Sequence, residues 1–322
     1  MSEIFLSIIA GLVLFLFAVK NISETIKLLL GEKAKELILK FTSNTFKSLL
    51  VGIVVTILLE SSSAVIIITI VFVNSNILTF KQAMGIVLGA NIGTTIGSQI
   101  IAMDIGKYSP LLLLLGFVLL VVSKSEKISN IGKIIVYFGI LFFGLYTVEN
   151  AVEPLKDEAF LSEWMKKTDN PFIGALVGAV VTLIVQSSSA TVGMVIILSK
   201  KGLISLSGGI AVMLGAELGT CSDTLFATIK ASRAAIKTGL FHISFNLLSI
   251  LLALLLFYPF INFVKMISVN APIERVIANA HVLFNVLGVL VFVWTIPLFE
   301  KVLNKLLPDK QKDLHKKGLL KL

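Results

Sequence analysis

The chain has 322 residues, of which 56% are hydrophobic and 15% are charged, and its mean hydropathy is +0.98. A soluble globular protein carries about 25% charged residues, so this composition excludes a soluble enzyme, a secreted disulfide scaffold and a disordered chain. The net charge of +9 comes from an excess of lysines that lie between apolar runs, where they orient a membrane protein rather than bind nucleic acid. We therefore predict an all-α polytopic protein of the cell (cytoplasmic) membrane.

Seven apolar runs are candidates for membrane-spanning helices, because about 20 helical residues cross a bilayer. The third run is the weakest, since a helix of its length reaches only about 21 Å. The seven runs are residues 4–28, 80–103, 110–123, 131–150, 203–229, 235–258 and 276–298. Two further apolar runs, 46–73 and 172–199, are each interrupted at the middle by a polar cluster.

An internal repeat relates the two interrupted runs. Residues 44–64 read NTFKSLLVGIVVTILLESSSA and residues 170–190 read NPFIGALVGAVVTLIVQSSSA, with 12 of 21 positions identical at an offset of 126. The same offset aligns GANIGT at 89–94 with GAELGT at 215–220. Two serine clusters and two glycine-rich segments in one register indicate an internal duplication.

The loops after the first span of each copy carry opposite charge. The first loop is basic, with Lys20, Lys27, Lys33, Lys35, Lys40 and Lys47, whereas residues 149–170 carry six acidic residues. Because positively charged loops stay in the cytoplasm, we predict that the first loop lies inside and the second outside, so that the repeats are inverted. This orientation requires 46–73 and 172–199 to be re-entrant hairpins, and only Lys200 and Lys201 then break the charge rule.

The predicted architecture has two inverted-topology repeats, about seven spans and two hairpins, with the N-terminus outside and the C-terminus inside. The first repeat covers residues 1–130, with hairpin 46–73 and a broken transmembrane helix at 80–103. The second covers 131–258, with hairpin 172–199 and a broken helix at 203–229. A last transmembrane helix lies within 259–300, and a basic cytoplasmic tail covers 301–322.

Each hairpin tip has the chemistry of an anion site. A serine at the start of a helix is a good N-cap, and the N–H groups of the first turn point at the tip together with the serine hydroxyls. Recurrence at the same depth in both halves favours function over simple helix packing. The expected substrate-binding residues are Glu60, Ser61, Ser62, Ser63, Gln186, Ser187, Ser188 and Ser189, with Asn91 and Thr94.

The glycine-rich segments after the tips suggest a cation site. Glycines would let each helix open, and freed carbonyls with Thr and Ser oxygens suit a small hard cation. The expected ligands are Asn91, Thr95, Glu217, Thr220, Ser222 and Asp223, with a place in a wetter vestibule as the equal alternative for Asp223. Carboxylates inside a membrane are functional hypotheses by default, and neither Glu60 nor Glu217 has a lysine near it at the middle of a span.

The last two long spans repeat an H-x-x-F-N pattern at His242 and His281. Zinc would need more ligands than these spans provide, so we predict interhelical hydrogen bonds instead. No phosphate-binding loop and no catalytic triad is recognisable. The sequence therefore predicts neither an enzyme nor an ATP-driven pump.

The doubled Gln/Glu-Ser-Ser-Ser-Ala tips, the two following GA-x-x-GT segments and the two H-x-x-F-N spans resemble the type II sodium–phosphate cotransporter family, over roughly residues 10–298. The resemblance implies phosphate movement driven by Na⁺, with phosphate at the serine tips and Na⁺ at neighbouring oxygens. Glu60 and Glu217 depart from the family, which normally carries Gln and Asn there. Many relatives also carry a soluble C-terminal regulatory domain, and this chain resembles the bare transport core.

The expected function is secondary active transport of inorganic phosphate coupled to Na⁺ by alternating access. The two Glu residues motivate an alternative, a proton-coupled or differently selective oxyanion carrier, and an ion channel is the alternative from another class. The expected partners are phosphate, Na⁺ as the coupling ion and the lipid bilayer. No other cofactor and no nucleic acid is expected, and a homodimer is one assembly that we consider.

Overall fold

The computed structural model describes residues 2–308, and fifteen α-helices account for most of that range, which contains no strand. They are α1 Ser2–Phe41, α2 Thr45–Leu59, α3 Ser62–Asn74, α4 Phe80–Ile101, α5 Ser109–Val122, α6 Glu126–Val152, α7 Ala159–Lys166, α8 Pro171–Val185, α9 Ser188–Lys200, α10 Leu206–Gly219, α11 Cys221–Ala227, α12 Arg233–Leu255, α13 Phe257–Ile267, α14 Ile273–Phe292 and α15 Ile296–Leu306. The prediction of an all-α protein is confirmed. Most of the basic tail, residues 309–322, lies outside the described residues.

Six helices within residues 2–308 are long and apolar enough to cross a membrane, or seven if the bent pair Glu163–Asp169 and Pro171–Val185 counts as one span. The six are Glu3–Phe41, Phe80–Ile101, Glu126–Leu155, Leu206–Ala227, Arg233–Leu255 and Ile273–Leu306. The predicted span 110–123 is absent from this set because α5 has only 14 residues, about 21 Å of helix. The chain is nevertheless a multi-pass membrane protein.

The first helix is longer than the sequence pattern indicated. We expected a span that ends at residue 28 and a basic loop after it, but α1 continues to Phe41. Residues 29–41 are mostly good helix formers, the exposed pair Glu32–Lys35 closes at 2.6 Å, and Ala34 and Ile38 are buried. The charges after the first span therefore lie on a helix.

Backbone breaks recur at the same offset as the sequence repeat. Three pairs of residues adopt the left-handed conformation 126 positions apart: Glu60 and Gln186, Asn76 and Gly202, Asp104 and Lys230. A left-handed residue cannot continue a right-handed helix, so α2 ends at Leu59, just before Glu60, and α8 ends at Val185, just before Gln186. The duplication is thus visible in the backbone as well as in the side chains.

Glycines bring α2 and α4 into close parallel contact. A Cβ placed on Gly85 would lie 2.7 Å from the Cβ of Ser48, and one placed on Gly93 would lie 2.7 Å from that of Thr56. The second half repeats this register between α8 and α10, where Gly174 meets Ala211 and Gly219 meets Thr182. The first turn of α4 also lies near the start of α2, because the Gln82 side chain donates a hydrogen bond to the carbonyl of Thr42. Helix α3 connects the end of α2 to the start of α4, so α3 runs back along α2.

The predicted break of the helix at 80–103 is wrong, whereas the helix at 203–229 is interrupted at Thr220, inside the predicted segment. Helix α4 is continuous from Phe80 to Ile101, and between α10 and α11 only Thr220 interrupts the assignment, with a φ of −68° and a ψ of −17° that remain helical. The glycines of α4 make room for the neighbouring helix α2, and the backbone of α4 itself stays helical. The hydroxyls of Thr94 and Thr95 donate to the backbone carbonyls of Ala90 and Ile92 in the same helix, a common role for hydroxyls within helices.

Helices α1 and α6 occupy equivalent places in the two halves and run antiparallel to each other. Gly11 packs on Gly144, with 2.7 Å between a Cβ placed on Gly11 and the Gly144 carbonyl oxygen. Six residues further along α1, the Phe17 ring meets Tyr137, earlier in α6, at a centroid distance of 6.1 Å. The N-terminal end of α1 therefore lies beside the C-terminal end of α6.

Candidate functional site

Both serine tips line one cavity of about 540 Å³ between the two halves of the chain. Most of the residues predicted to bind substrate face this space, although the two tips are 126 positions apart in the sequence. The predicted residues on the cavity are Glu60, Ser61, Ser62, Ser63, Thr94, Gln186, Ser187, Ser188, Ser189, Thr220 and Asp223.

Each tip is built by the same local geometry. The Ser61 side chain accepts a hydrogen bond from the Ala64 N–H at 3.2 Å, and the Ser187 side chain accepts one from the Ala190 N–H at 3.2 Å. Both serines are therefore N-caps, of α3 and of α9. The first-turn N–H groups of a helix lack partners within the helix, and here two helix starts meet one cavity and favour negative charge.

Each tip also contacts the opposite half in a reciprocal way. The Ser63 hydroxyl donates to the Asp223 carboxylate at 3.0 Å. The equivalent serine, Ser189, lies beside Gly97, where an added Cβ would be 3.4 Å from Ser189 Oγ and 3.6 Å from Glu60 Oε2. Gly97 and Asp223 are themselves 126 positions apart. The arrangement is symmetric in position, but only the second half carries a carboxylate at this position.

Four of the predicted ligands are not among the residues that line this cavity in the described part of the chain. The Asn91 amide donates to the Val87 carbonyl at 2.9 Å, Thr95 donates to the Ile92 carbonyl at 2.8 Å and Ser222 donates to the Gly219 carbonyl at 2.9 Å. The fourth, Glu217, is buried behind the cavity wall. Their assignment as Na⁺ ligands stays a prediction.

The two H-x-x-F-N histidines form interhelical hydrogen bonds, as predicted. His281 of α14 contacts Glu217 Oε1 at 3.0 Å through Nε2 and Ser98 Oγ at 2.9 Å through Nδ1. His242 of α12 contacts Thr224 Oγ1 at 2.9 Å, and Ser98 and Thr224 are again 126 positions apart. In the sequence, Glu217 has no lysine near it at the middle of a span, and its partner is instead His281.

One wall of the cavity is a face of α1, which we did not predict from the sequence. Its residues follow helical spacing: Leu16, Val19, Lys20, Ser23, Glu24 and Lys27. We had assigned the lysines only to membrane orientation, but the i, i+4, i+7 spacing of Lys20, Glu24 and Lys27 already placed them on one helical face. Lys20 and Glu24 are largely exposed at 3.9 Å from each other, so the rim of the cavity is charged.

One family model, described as Na⁺/Pi-cotransporter, matches the chain twice, at residues 14–150 and at residues 146–290. The first match contains Glu60 and its serines, and the second contains Gln186 and its serines. The chain belongs to the Na⁺/Pi-cotransporter family. This confirms the resemblance that the doubled tips indicated, and it makes the chain a member of a phosphate transporter family rather than of an enzyme family.

Relatives of this Na⁺/Pi-cotransporter family member differ in length. The Bacillus subtilis protein YqeW, described as uncharacterized, is 31% identical over 310 residues, which are 95% of this chain and 99% of YqeW. The Salmonella typhimurium "Putative inorganic phosphate export protein YjbB" is 27% identical over 83% of this chain. "Sodium-dependent phosphate transport protein 2A" of Rattus norvegicus is 31% identical over 148 residues.

The chain spans 49% of the length of YjbB and 20% of that of the rat protein. No solved structure matches the chain.

Proposed function

We propose that this protein is a secondary active transporter that moves inorganic phosphate coupled to Na⁺ by alternating access. The observation that carries the proposal is the single cavity lined by both serine tips. Two helix starts, the six serines of the tips and the carboxyl groups of Glu60 and Asp223 converge on it from the two halves. Membership in a phosphate transporter family and similarity to a protein named for sodium-dependent phosphate transport support the same substrate and coupling ion.

The proposed membrane arrangement has two inverted repeats. The antiparallel course of α1 and α6 supports it, because these helices occupy equivalent places in the two halves and both are long enough to span. The return of α3 along α2, and the same register between α8 and α10, support a re-entrant hairpin in each half. Lys200 and Lys201, which broke the charge rule, are paired with Asp104, Glu149 and Glu153.

Phosphate would bind between the tips and Na⁺ close to it. The hydroxyls and first-turn N–H groups are donors for an oxyanion, and charge-assisted hydrogen bonds of this kind are the strong ones. Asp223 and Thr220 supply oxygens for Na⁺ on the cavity wall. A bound cation beside Asp223 and Glu60 offsets the repulsion between these carboxylates and phosphate, which gives a physical reason for coupling.

The experiment is uptake of radiolabelled phosphate into proteoliposomes that contain the purified protein. We expect saturable uptake under an inward Na⁺ gradient and little uptake under an equal K⁺ gradient. Similarity to YjbB, which is named for export, makes measurement with both gradient directions necessary. Absence of phosphate flux under every Na⁺, K⁺ and pH gradient would overturn the proposal, and single-channel current steps would favour a channel.

A second candidate is proton coupling, and the carboxyl group of Glu60 on the cavity favours it. A buried carboxyl group either pairs with a cation or takes up a proton, because an isolated buried charge is costly. If Glu60 carries a proton, Glu60→Gln should flatten the dependence of phosphate flux on pH. If Glu60 attracts Na⁺ instead, the same substitution should weaken Na⁺ dependence and leave the pH profile unchanged. Flux measured between about pH 5 and about pH 9 at several Na⁺ concentrations distinguishes the two.

A further inference from the structure

The equivalent helices α1 and α6 present the same face to different surroundings. Leu16, Val19 and Ser23 of α1 line the cavity. Their equivalents 126 positions later, Phe142, Leu145 and Glu149 of α6, are buried in the protein. The two halves therefore share their local structure but not their access to solvent, since the face is open along α1 and closed along α6.

A network of ion pairs among five charged residues holds the end of α6 against neighbouring elements. Lys200 bridges Asp104 at 2.6 Å and Glu149 at 2.7 Å, and Lys201 bridges Glu149 at 3.2 Å and Glu153 at 2.5 Å. The network joins the end of α6, the end of α9 and the turn after α4. Lys200, Lys201 and Glu149 are mostly shielded from solvent, and the hydrogen bond to Glu153 raises the pKa of Lys201.

This network and the open rim of the cavity lie at opposite ends of the helices. Helix α9 begins at the cavity with Ser188 and ends at Lys200, about 18 Å away at 1.5 Å per residue. Because α1 and α6 are antiparallel, Lys20 and Lys27 at the rim lie toward the start of α6, whereas Glu149 and Glu153 lie at its end. The network is therefore on the side of the tips away from the opening.

The corresponding positions at the open end do not contain a matching network. The equivalents of the five residues are Lys230, Ser23, Lys27, Asn74 and Ser75. They include two lysines and no carboxylate, so closure at that end cannot use the same ion pairs. At these equivalent positions of the described residues, the duplicated fold therefore carries the ion-pair network at one end and not at the other.

We propose that Asp104, Glu149, Glu153, Lys200 and Lys201 form a gate at the end of the protein that carries residues 153–170. The inference rests on the alternating access proposed above. The gate holds α6 against α9 while the cavity is open along α1, and its ion pairs have to separate before the tips become accessible from the other side. Since the five equivalent positions at the open end contain no carboxylate, the gate favours the state seen in this structure.

The test measures access to Leu145, the buried equivalent of Val19. The Leu145→Cys variant is made in a Cys221→Ser background. A membrane-impermeant thiol reagent is then added on the gate side, and the rate of labelling of this cysteine is measured. Replacing both lysines, Lys200→Gln with Lys201→Gln, removes the ion pairs. The contribution of an ion pair to stability ranges from nearly nothing when the pair is exposed to several kcal/mol when it is buried. For this partly shielded network, we expect labelling of Leu145→Cys to accelerate about five- to thirty-fold.

Two controls separate the gate from a general loss of charge. Lys35→Gln removes one member of the exposed pair with Glu32 and should leave labelling of Leu145→Cys unchanged. Lys200→Arg keeps the charge and should also leave it unchanged. If the double variant does not fold, Glu153→Gln, at the exposed edge of the network, should still accelerate labelling to a smaller extent.

The folded state of the Lys200→Gln, Lys201→Gln protein is checked with Val19→Cys, which should still react from the opposite side. If labelling of Leu145→Cys is then unchanged in this folded protein, the gate is refuted. The readout requires neither phosphate nor Na⁺. A protein that shows the labelling change but no phosphate flux would therefore keep the gate and refute the proposed substrate. Normal phosphate flux without the labelling change would support the proposed substrate and refute the gate.

Discussion

Glu60 and Gln186 have nearly the same backbone conformation, with φ of 49° and 56°, but one side chain ends in an ionisable carboxyl group and the other in a neutral amide. The conformation follows from their place between a helix end and a serine N-cap, and it does not depend on charge. The Glu60 carboxyl group is therefore free to alter ion coupling at the cavity without altering the shape of the tip. At this scale the two tips are interchangeable in structure and distinct in electrostatics.

The serine hydroxyls at the tips give a prediction for anion binding. Ser62→Ala and Ser188→Ala each remove a donor beside the cavity. A hydrogen bond to a charged group contributes about 1.5–3 kcal/mol, so phosphate affinity should fall by roughly ten-fold to over a hundred-fold in each variant. Phosphate binding to the purified protein measures the effect.

Ser43→Ala is the matched control, because Ser43 is exposed just before α2 and is not among the cavity residues. It should bind phosphate as the parent protein does. Unchanged affinity in both tip variants would mean that the serines only pack the helices.

At the scale of helices, the glycines of the repeat act through packing. Gly89 and Gly215 lie directly against the carbonyls of Leu49 and Ala175, which a Cβ on either glycine would overlap. The atoms that contact these two glycines belong to the backbone, and backbone atoms cannot move aside as a flexible side chain can. The parallel pairs α2–α4 and α8–α10 therefore depend on small residues, as close helix contacts in membranes often do.

Gly215→Ala should lower the free energy of unfolding by roughly 1–3 kcal/mol or more, because it overfills a tight contact. Gly31→Ala in α1 is the control, since an added Cβ there has no atom within 4 Å and alanine is the better helix former by about 1 kcal/mol. Thermal unfolding of both variants in detergent measures the difference. Equal Tm values for Gly215→Ala and the parent would contradict the packing role.

At the scale of the whole molecule, the inverted arrangement predicts where each half faces. In a Cys221→Ser background, Glu163→Cys in α7 should react with an impermeant thiol reagent from outside the cell. Lys33→Cys in the exposed part of α1 should react only from inside, because its surroundings are rich in lysine. Both side chains are exposed, so labelling reports the side of the membrane rather than burial.

A membrane-permeant reagent is the control and should label both cysteines equally. Labelling of both by the impermeant reagent from the same face would refute the inverted repeats. This outcome would leave the cavity and its serine tips unaffected, because they do not depend on the side of the membrane.

Features that depend on nearby residues could be predicted from the sequence. The serine caps at Ser61 and Ser187 and the membrane class follow from capping chemistry and apolar length, which depend on neighbours along the chain. The duplication follows from motifs that recur in the sequence itself. The predicted break in α4 is wrong because glycine permits either an opened helix or a close contact between helices. Only the position of α2 beside α4 decides between these.

Tertiary structure alone decided which distant side chains meet. Nothing local to Glu217 indicates that His281 lies 3.0 Å from it, and nothing near Ser63 indicates a bond to Asp223 in the other half. The same holds for the α1 face on the cavity and for Lys200 between Asp104 and Glu149. These pairs are set by how the two halves pack, and packing depends on the shape of every helix surface at once, whereas periodicity and capping depend only on neighbours along the chain.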